Sequence, residues 1–168
     1  MGKATLFAAF FAIALAVAGP SLAQTARPYD LQQLTPEVRA SVESARAAQT
    51  RALMAAARVQ DGNVAGHIRF TGTGGDTYNG ECSPCSSESV QRHGVGLLSW
   101  PDGEIYAGEH MRGGTGGYKH GYGVYIFANG TMFEGQYVRD QYSGYGVFWD
   151  ANGQLSDQGR FVNGQLVQ

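Results

Sequence analysis

The chain has 168 residues, 25 of them glycine, with 15% charged side chains and a formal net charge of −2. That length suits one ordinary domain. The slightly acidic balance excludes nucleic acid as a partner, because neutralising phosphates takes a basic patch.

Residues 1–23 read as a secretory signal peptide. Lys3 gives the positive start, residues 6–18 form an apolar run, Gly19-Pro20 breaks it, and Ser21-Leu22-Ala23 offers small residues for cleavage before Gln24. The run is shorter than the ~20 residues of a membrane span, so an uncleaved anchor is the lesser alternative. The expected location is therefore secreted or periplasmic. Residues 24–34 read as an irregular lead-in. Thr35-Pro36-Glu37 then supplies an N-cap, a proline at the first helical position and an acid in the first turn. This predicts a helix over 35–61, ended by Asp61-Gly62. Val38, Val42, Ala45, Ala52, Leu53, Ala56 and Val59 make one shallow apolar face, and Arg39, Glu43, Arg46, Arg51 and Arg58 occupy the rest, as expected for a helix packed on a sheet. A coiled coil or an interfacial membrane helix is the alternative.

From residue 66 to 168 the period changes from helical to alternating. Gly94-Val95-Gly96, Gly121-Tyr122-Gly123 and Gly144-Tyr145-Gly146 each lead to a turn, at Asp102-Gly103, Asn129-Gly130 and Asn152-Gly153 respectively. Tyr106 and Gly108 follow the first turn, Phe133 and Gly135 the second, and Gly159 the third. A half-copy stands at Gly75, Tyr78 and Gly80. Asx-Gly between alternating apolar residues is a strong hairpin signal, so each copy reads as strand, two-residue turn, strand. Alternation sorts Val95, Leu97, Tyr122, Val124, Ile126, Tyr145, Val147 and Trp149 onto one face. Leu98, Trp100, Tyr125, Phe127 and Phe148 take the other, and on the returning strands Tyr106, Gly108 and His110 match Phe133, Gly135 and Tyr137. Both faces are partly apolar, so one of them must be covered by the helix, a second copy or a partner. The segments 82–92 and 111–119 vary in length and read as loops between hairpins. The predicted fold is mainly β: an elongated antiparallel sheet of tandem β-hairpins preceded by one α-helix.

The phrase running from His120-Gly121-Tyr122-Gly123 to Phe133-Glu134-Gly135-Gln136-Tyr137, and its copy from His93-Gly94-Val95-Gly96 to Tyr106-Ala107-Gly108-Glu109, resembles the MORN (membrane occupation and recognition nexus) repeat. The resemblance covers about residues 66–168. Ser156 replaces the aromatic in the last copy, and Cys82 and His110 stand where a second aromatic is expected. The resemblance implies an interaction scaffold that binds proteins, in some cases self-associates, and has been linked to phospholipid or membrane surfaces.

Chemistry-bearing residues are few. Cys82-Ser83-Pro84-Cys85 is expected to close a small disulfide in an oxidising compartment. A redox pair is the alternative, and it would need a helix N-terminus to activate a thiolate. Zinc would need two further ligands. Glu81, Glu109 and Gln136 recur with the repeat and are expected to tie neighbouring hairpins together. His93, His110 and His120 are expected to be structural. No catalytic, cofactor-binding or metal residue is assigned and no cofactor is expected. The expected activity is binding at the cell envelope, with a protein partner foremost, a phospholipid surface or an accessory redox role as alternatives, and self-association open. The candidate contact residues are Tyr106, Tyr122, Tyr125, Phe127, Phe133, Tyr137, Tyr145, Phe148 and Trp149, since rigid aromatic side chains give contact area at low entropic cost.

Overall fold

The computed structural model describes residues 29–86 and 89–167; the expected signal peptide lies outside them. After a short 3-10 turn at Leu31–Gln33 comes one helix, α1 (Pro36–Ala57), and then nine strands. These are β1 (His67–Thr71), β2 (Thr77–Ser86), β3 (Ser89–Ser99), β4 (Ile105–Met111), β5 (Tyr118–Ile126), β6 (Met132–Val138), β7 (Gln141–Trp149), β8 (Leu155–Val162) and β9 (Gln165–Val167). They form one open antiparallel sheet in strict chain order, β1 to β9. Because every strand pairs with its sequence neighbours, β1 and β9 are the two edges of the sheet formed by the described residues.

The three repeat turns share one geometry. The amides of Gly103, Gly130 and Gly153 donate to the carbonyls of Trp100, Phe127 and Asp150, and the amides of Trp100, Phe127 and Asp150 donate to Glu104, Thr131 and Gln154. Only the glycine takes a positive φ, 94°, 83° and 82° respectively. Each is therefore a three-residue loop with a left-handed glycine, not the two-residue turn expected from Asx-Gly. Two-residue turns do occur, at Arg139-Asp140 and Asn163-Gly164, where both residues have positive φ and Val138↔Gln141 and Val162↔Gln165 close the ladder. The segment 82–92 is also not a simple loop. β2 and β3 stay paired out to Ser86↔Ser89.

α1 begins as its sequence dictates, with Thr35 accepting the Val38 amide and Pro36 inside the first turn. It lies across the strands on one face of the sheet, touching β2 through β8. The dimensions agree: 22 residues span about 33 Å at 1.5 Å per residue, and seven strands spaced by about 4.8 Å span about 29 Å. Val38, Val42 and Ala45 pack with Val124, Met132, Val147 and Trp149, and farther along Ala52 meets Leu97 and Ala107. Alanines at 45, 48, 52 and 55 are buried; their small side chains let the helix axis sit close to the pleat. The apolar face is thus a contact surface with the sheet, and not a coiled-coil seam. Gln158 fixes the start of the helix by accepting the Thr35 amide and donating to the Gln33 carbonyl.

Polar ties hold the helix in register. Arg46 Nε and Nη2 reach Glu134 Oε1 and Oε2 at 2.7 and 3.0 Å, and Trp149 Nε1 donates to Glu134 Oε2 at 2.8 Å. The Glu134 side chain is 3% exposed, so this carboxylate depends on its two partners. Farther along, Arg51 pairs with Glu109 at 2.7 Å.

Candidate binding face

Among the described residues the face opposite α1 has no second layer, yet several of its aromatic rings are fully buried. The register explains this. Gly80, Gly96, Gly108, Gly123, Gly135, Gly146 and Gly159 stand directly opposite one another across β2 to β8. They form a side-chain-free furrow in the pleat. Rings from the adjacent row lie down into it: a Cβ placed on Gly96 would come within 2.5 Å of the Tyr78 ring, one on Gly123 within 2.6 Å of the Tyr106 ring, and one on Gly146 within 2.4 Å of Phe133. Lys119 and Tyr142, equivalent positions two residues ahead of Gly121 and Gly144, close over the rings from outside. Lys119 Nζ is 6.0 Å from the Tyr106 centroid, and the Tyr142 ring is 4.3 Å from Phe133. Tyr106, Phe133 and Tyr137 then pack edge to face. The open face therefore buries its aromatics by folding them flat on glycine.

A second device links one repeat to the next. At Glu81, Glu109 and Gln136 the ladder breaks register, with one residue set against three. Glu81 Oε2 accepts the Val95 amide and Glu109 Oε2 accepts the Tyr122 amide, each at 2.8 Å. The side chain thus replaces a ladder bond that the irregularity removes. Tyr78 and Tyr106 hydroxyls donate to the carbonyls of Glu81 and Glu109. Glu109 also holds Arg51, so the tie between repeats and the tie to the helix share one carboxylate. These residues connect neighbouring hairpins, as their recurrence implies.

The expected contact residues separate accordingly. Tyr106, Phe133 and Tyr137 are 0% exposed, Tyr125 8% and Trp149 1%, so these five are core and not contact surface. The first four lie in the furrow-side cluster, whereas Trp149 packs beneath the helix. Tyr122 and Tyr145 also belong to the helix-side face; Tyr122 is half-buried against the core and Tyr145 is exposed. Phe127 and Phe148 remain half-buried on the open face. Sequence reasoning missed Lys119 and Tyr142 as members of this face, and it left Trp100, which it placed there, out of the candidate contact residues. Trp100 stands at the offset from Gly94 that Phe127 has from Gly121, a signal that would have found it.

Along the turn margin the partly exposed rings of Trp100, Phe127 and Phe148 make a strip, linked through the buried Tyr125. Trp100 to Tyr125 is 5.5 Å, Tyr125 to Phe127 4.7 Å and Phe127 to Phe148 6.2 Å. Lys119 lays its ammonium over this strip, 5.4 Å from Trp100 and 5.2 Å from Tyr125, with Asp140 at 3.7 Å. Burial lowers the Lys119 pKa, and Asp140 opposes that. The Tyr125 hydroxyl donates to Glu104.

His110 is fully buried, edge-on to Tyr78 and Tyr106 at 5.1 Å each, in the position that Tyr137 fills in the next copy. Burial, then the nearby Arg92, brings its pKa down to about 3 from 6.5. The folded state therefore binds fewer protons than the unfolded state between those values, and stability must fall as pH drops through that window. Wild type should lose roughly 1.4 kcal/mol per pH unit more than His110→Phe between about pH 6 and 4. Urea denaturation at several pH values measures the difference; parallel slopes would contradict it.

The Cys82 and Cys85 sulfurs are 2.00 Å apart, at disulfide separation. Both cysteines lie in β2, so neither stands at the helix N-terminus that would activate a thiolate. Between the first hairpin and the Gly113–Gly117 loop, a cavity of about 480 Å³ is lined by Asp76, Tyr78, Gln91, Arg92 and Thr115, among others. His93 and His120 line a second hollow with Glu81 and Glu109. Among the described residues no three His, Cys, Asp or Glu side chains are grouped to hold a metal.

A single open sheet of glycine-locked hairpins, each clamped to the next and braced by one helix, defines a repeat scaffold. The MORN repeat family model matches residues 91–105, 115–132 and 133–155, and these matches support the MORN family, whose repeats are a non-catalytic binding type. No curated protein matches the chain. The geometry extends past the matched segments: Tyr78, Gly80 and Glu81 make the contacts of the repeat just as Tyr106, Gly108 and Glu109 do.

Proposed function

We propose that this protein is a non-enzymatic binding module of the cell envelope, secreted or periplasmic after cleavage of residues 1–23, and that it engages a protein partner through the open aromatic face. One observation carries the reading. α1 seals one side of the sheet, while on the other side Trp100, Phe127, Tyr142 and Phe148 pack against the core and stay partly exposed, with no layer above them among the described residues. Rigid rings over a rigid floor are preorganised contact area, so a partner meets a low ordering cost. Among the described residues no helix is long and apolar enough to cross a membrane.

The expected result is that Trp100→Ser with Phe127→Ser abolishes crosslinking to the envelope partner while the far-ultraviolet spectrum and melting temperature hold. Retained crosslinking would sink the reading. In parallel, flotation with phospholipid vesicles tests the membrane alternative: vesicle binding lost in the same variant would transfer the face to lipid.

A further inference from the structure

The open face is electrically polarised along its strands. The three repeat turns, within residues 100–104, 127–131 and 149–155, carry Asp102, Glu104 and Asp150 and no basic residue. Asp157 adds a fourth acid directly opposite Phe148. The other end of the strands carries Arg92, Arg112, Lys119 and Arg139 against Glu81, Glu109 and Asp140. The rings of the turn end already hold one cation, the protein's own Lys119 ammonium, laid between Trp100 and Tyr125 and ion-paired with Asp140 from the opposite end. An aromatic strip with an acidic margin attracts organic cations both by ring quadrupole and by charge.

Resting on the reading of this face as the binding face, we infer that its partner presents an extended, proline-rich basic segment that crosses the hairpins along the turn margin. The spacing sets its pattern. The acids sit in and beside the β3–β4 turn (Asp102, Glu104) and the β7–β8 turn (Asp150, Asp157), with the β5–β6 turn between them offering Phe127 and no acid. Four strand steps of about 4.8 Å separate the acidic hairpins by about 19 Å. A polyproline II chain advances about 3.1 Å per residue with three residues per turn. Six residues therefore cover about 19 Å and return to the same side of the chain. The segment carries lysine or arginine at positions i and i+6, and the proline midway rests on Phe127. Recognition of such a helix by aromatic grooves needs little ordering, because the ligand is stiff before it binds.

The test uses the full chain and a fluorescent nine-residue proline peptide with lysines at positions 2 and 8, followed by anisotropy. Expected is saturable binding that weakens at least tenfold when the second lysine moves to position 7, and equally when Asp102→Asn and Glu104→Gln are combined; the glutamine keeps an acceptor for the Tyr125 hydroxyl. Raising salt should weaken binding. Equal affinity for the shifted peptide, no effect of the acid substitutions, or no binding would each overturn the inference. So would preferential binding of anionic phosphatidylglycerol vesicles that depends on Trp100. If the peptide fails but Trp100→Ser with Phe127→Ser still loses the envelope partner, only this inference falls; if that crosslink also survives, the binding-face reading falls with it.

Discussion

Gly108→Ala is expected to destabilise the protein by about 3 kcal/mol, the upper range for overpacking, and to lower the melting temperature by roughly 10 °C. A Cβ on Gly108 would sit 2.6 Å from the Cα of Gly123 and 2.7 Å from the Tyr122 carbonyl oxygen. Both atoms are backbone of the neighbouring strand, so no rotamer change relieves the clash. β4 and β5 would have to part, and the Tyr106 hydroxyl, also 2.7 Å away, would lose its place. The control is Gly74→Ala in the first turn. Its new Cβ would find only Asp76 Oδ1 at 3.5 Å, an ordinary contact, and its effect should stay within about 0.5 kcal/mol. Thermal melts of the two variants decide it; similar midpoints would mean that the furrow is not needed for its width.

Arg46→Ala should cost about as much, for an electrostatic reason. Glu134 is buried with a guanidinium and an indole N–H as its hydrogen-bond partners. Removing the guanidinium strands a carboxylate under the helix, a loss of about 3 kcal/mol for a pair of which the arginine is one-third exposed. Glu134→Gln in the Arg46→Ala background should recover more than half, because the neutral amide still accepts the Trp149 N–H. Urea midpoints of the single and double variants measure this. A double variant no better than the single one would show that the helix needs the arginine for packing and not for charge.

The legible parts of this fold are those that local backbone chemistry specifies. Glycine in the turns marks the hairpins, and the Thr35-Pro36 start marks the helix, because capping and left-handed φ depend on a few adjacent residues. Alternation also assigned the faces correctly: Val124 and Val147 lie under the helix, and Tyr125 and Phe148 lie opposite. Burial was not legible. Whether Tyr106 is core or contact depends on the ring falling onto Gly123 of the next strand, a relation across strands that no single segment encodes. Trp149 has the parity of the helix side, but its partner Glu134 comes from β6 and Arg46 from α1. The turn type misled for a similar reason. Pro101, Ala128 and Ala151 precede the Asx-Gly pairs and make the loops one residue longer than the dipeptide alone indicates, whereas Asn163-Gly164, beyond the three repeat turns, forms the tight turn.

The bracing helix has a thermodynamic consequence for the array as a whole. Units stacked in a line and joined only to their neighbours behave as coupled links, each able to melt from an end inward. Here a single rod rests on seven strands at once, with Gln158 on β8 at its start and Arg51 bound to β4 farther on. Detaching any one hairpin beneath it uncovers part of the rod, and losing the rod uncovers the floor of every hairpin. The nearest-neighbour chain thereby acquires a shared long-range contact, and its links gain or lose order together.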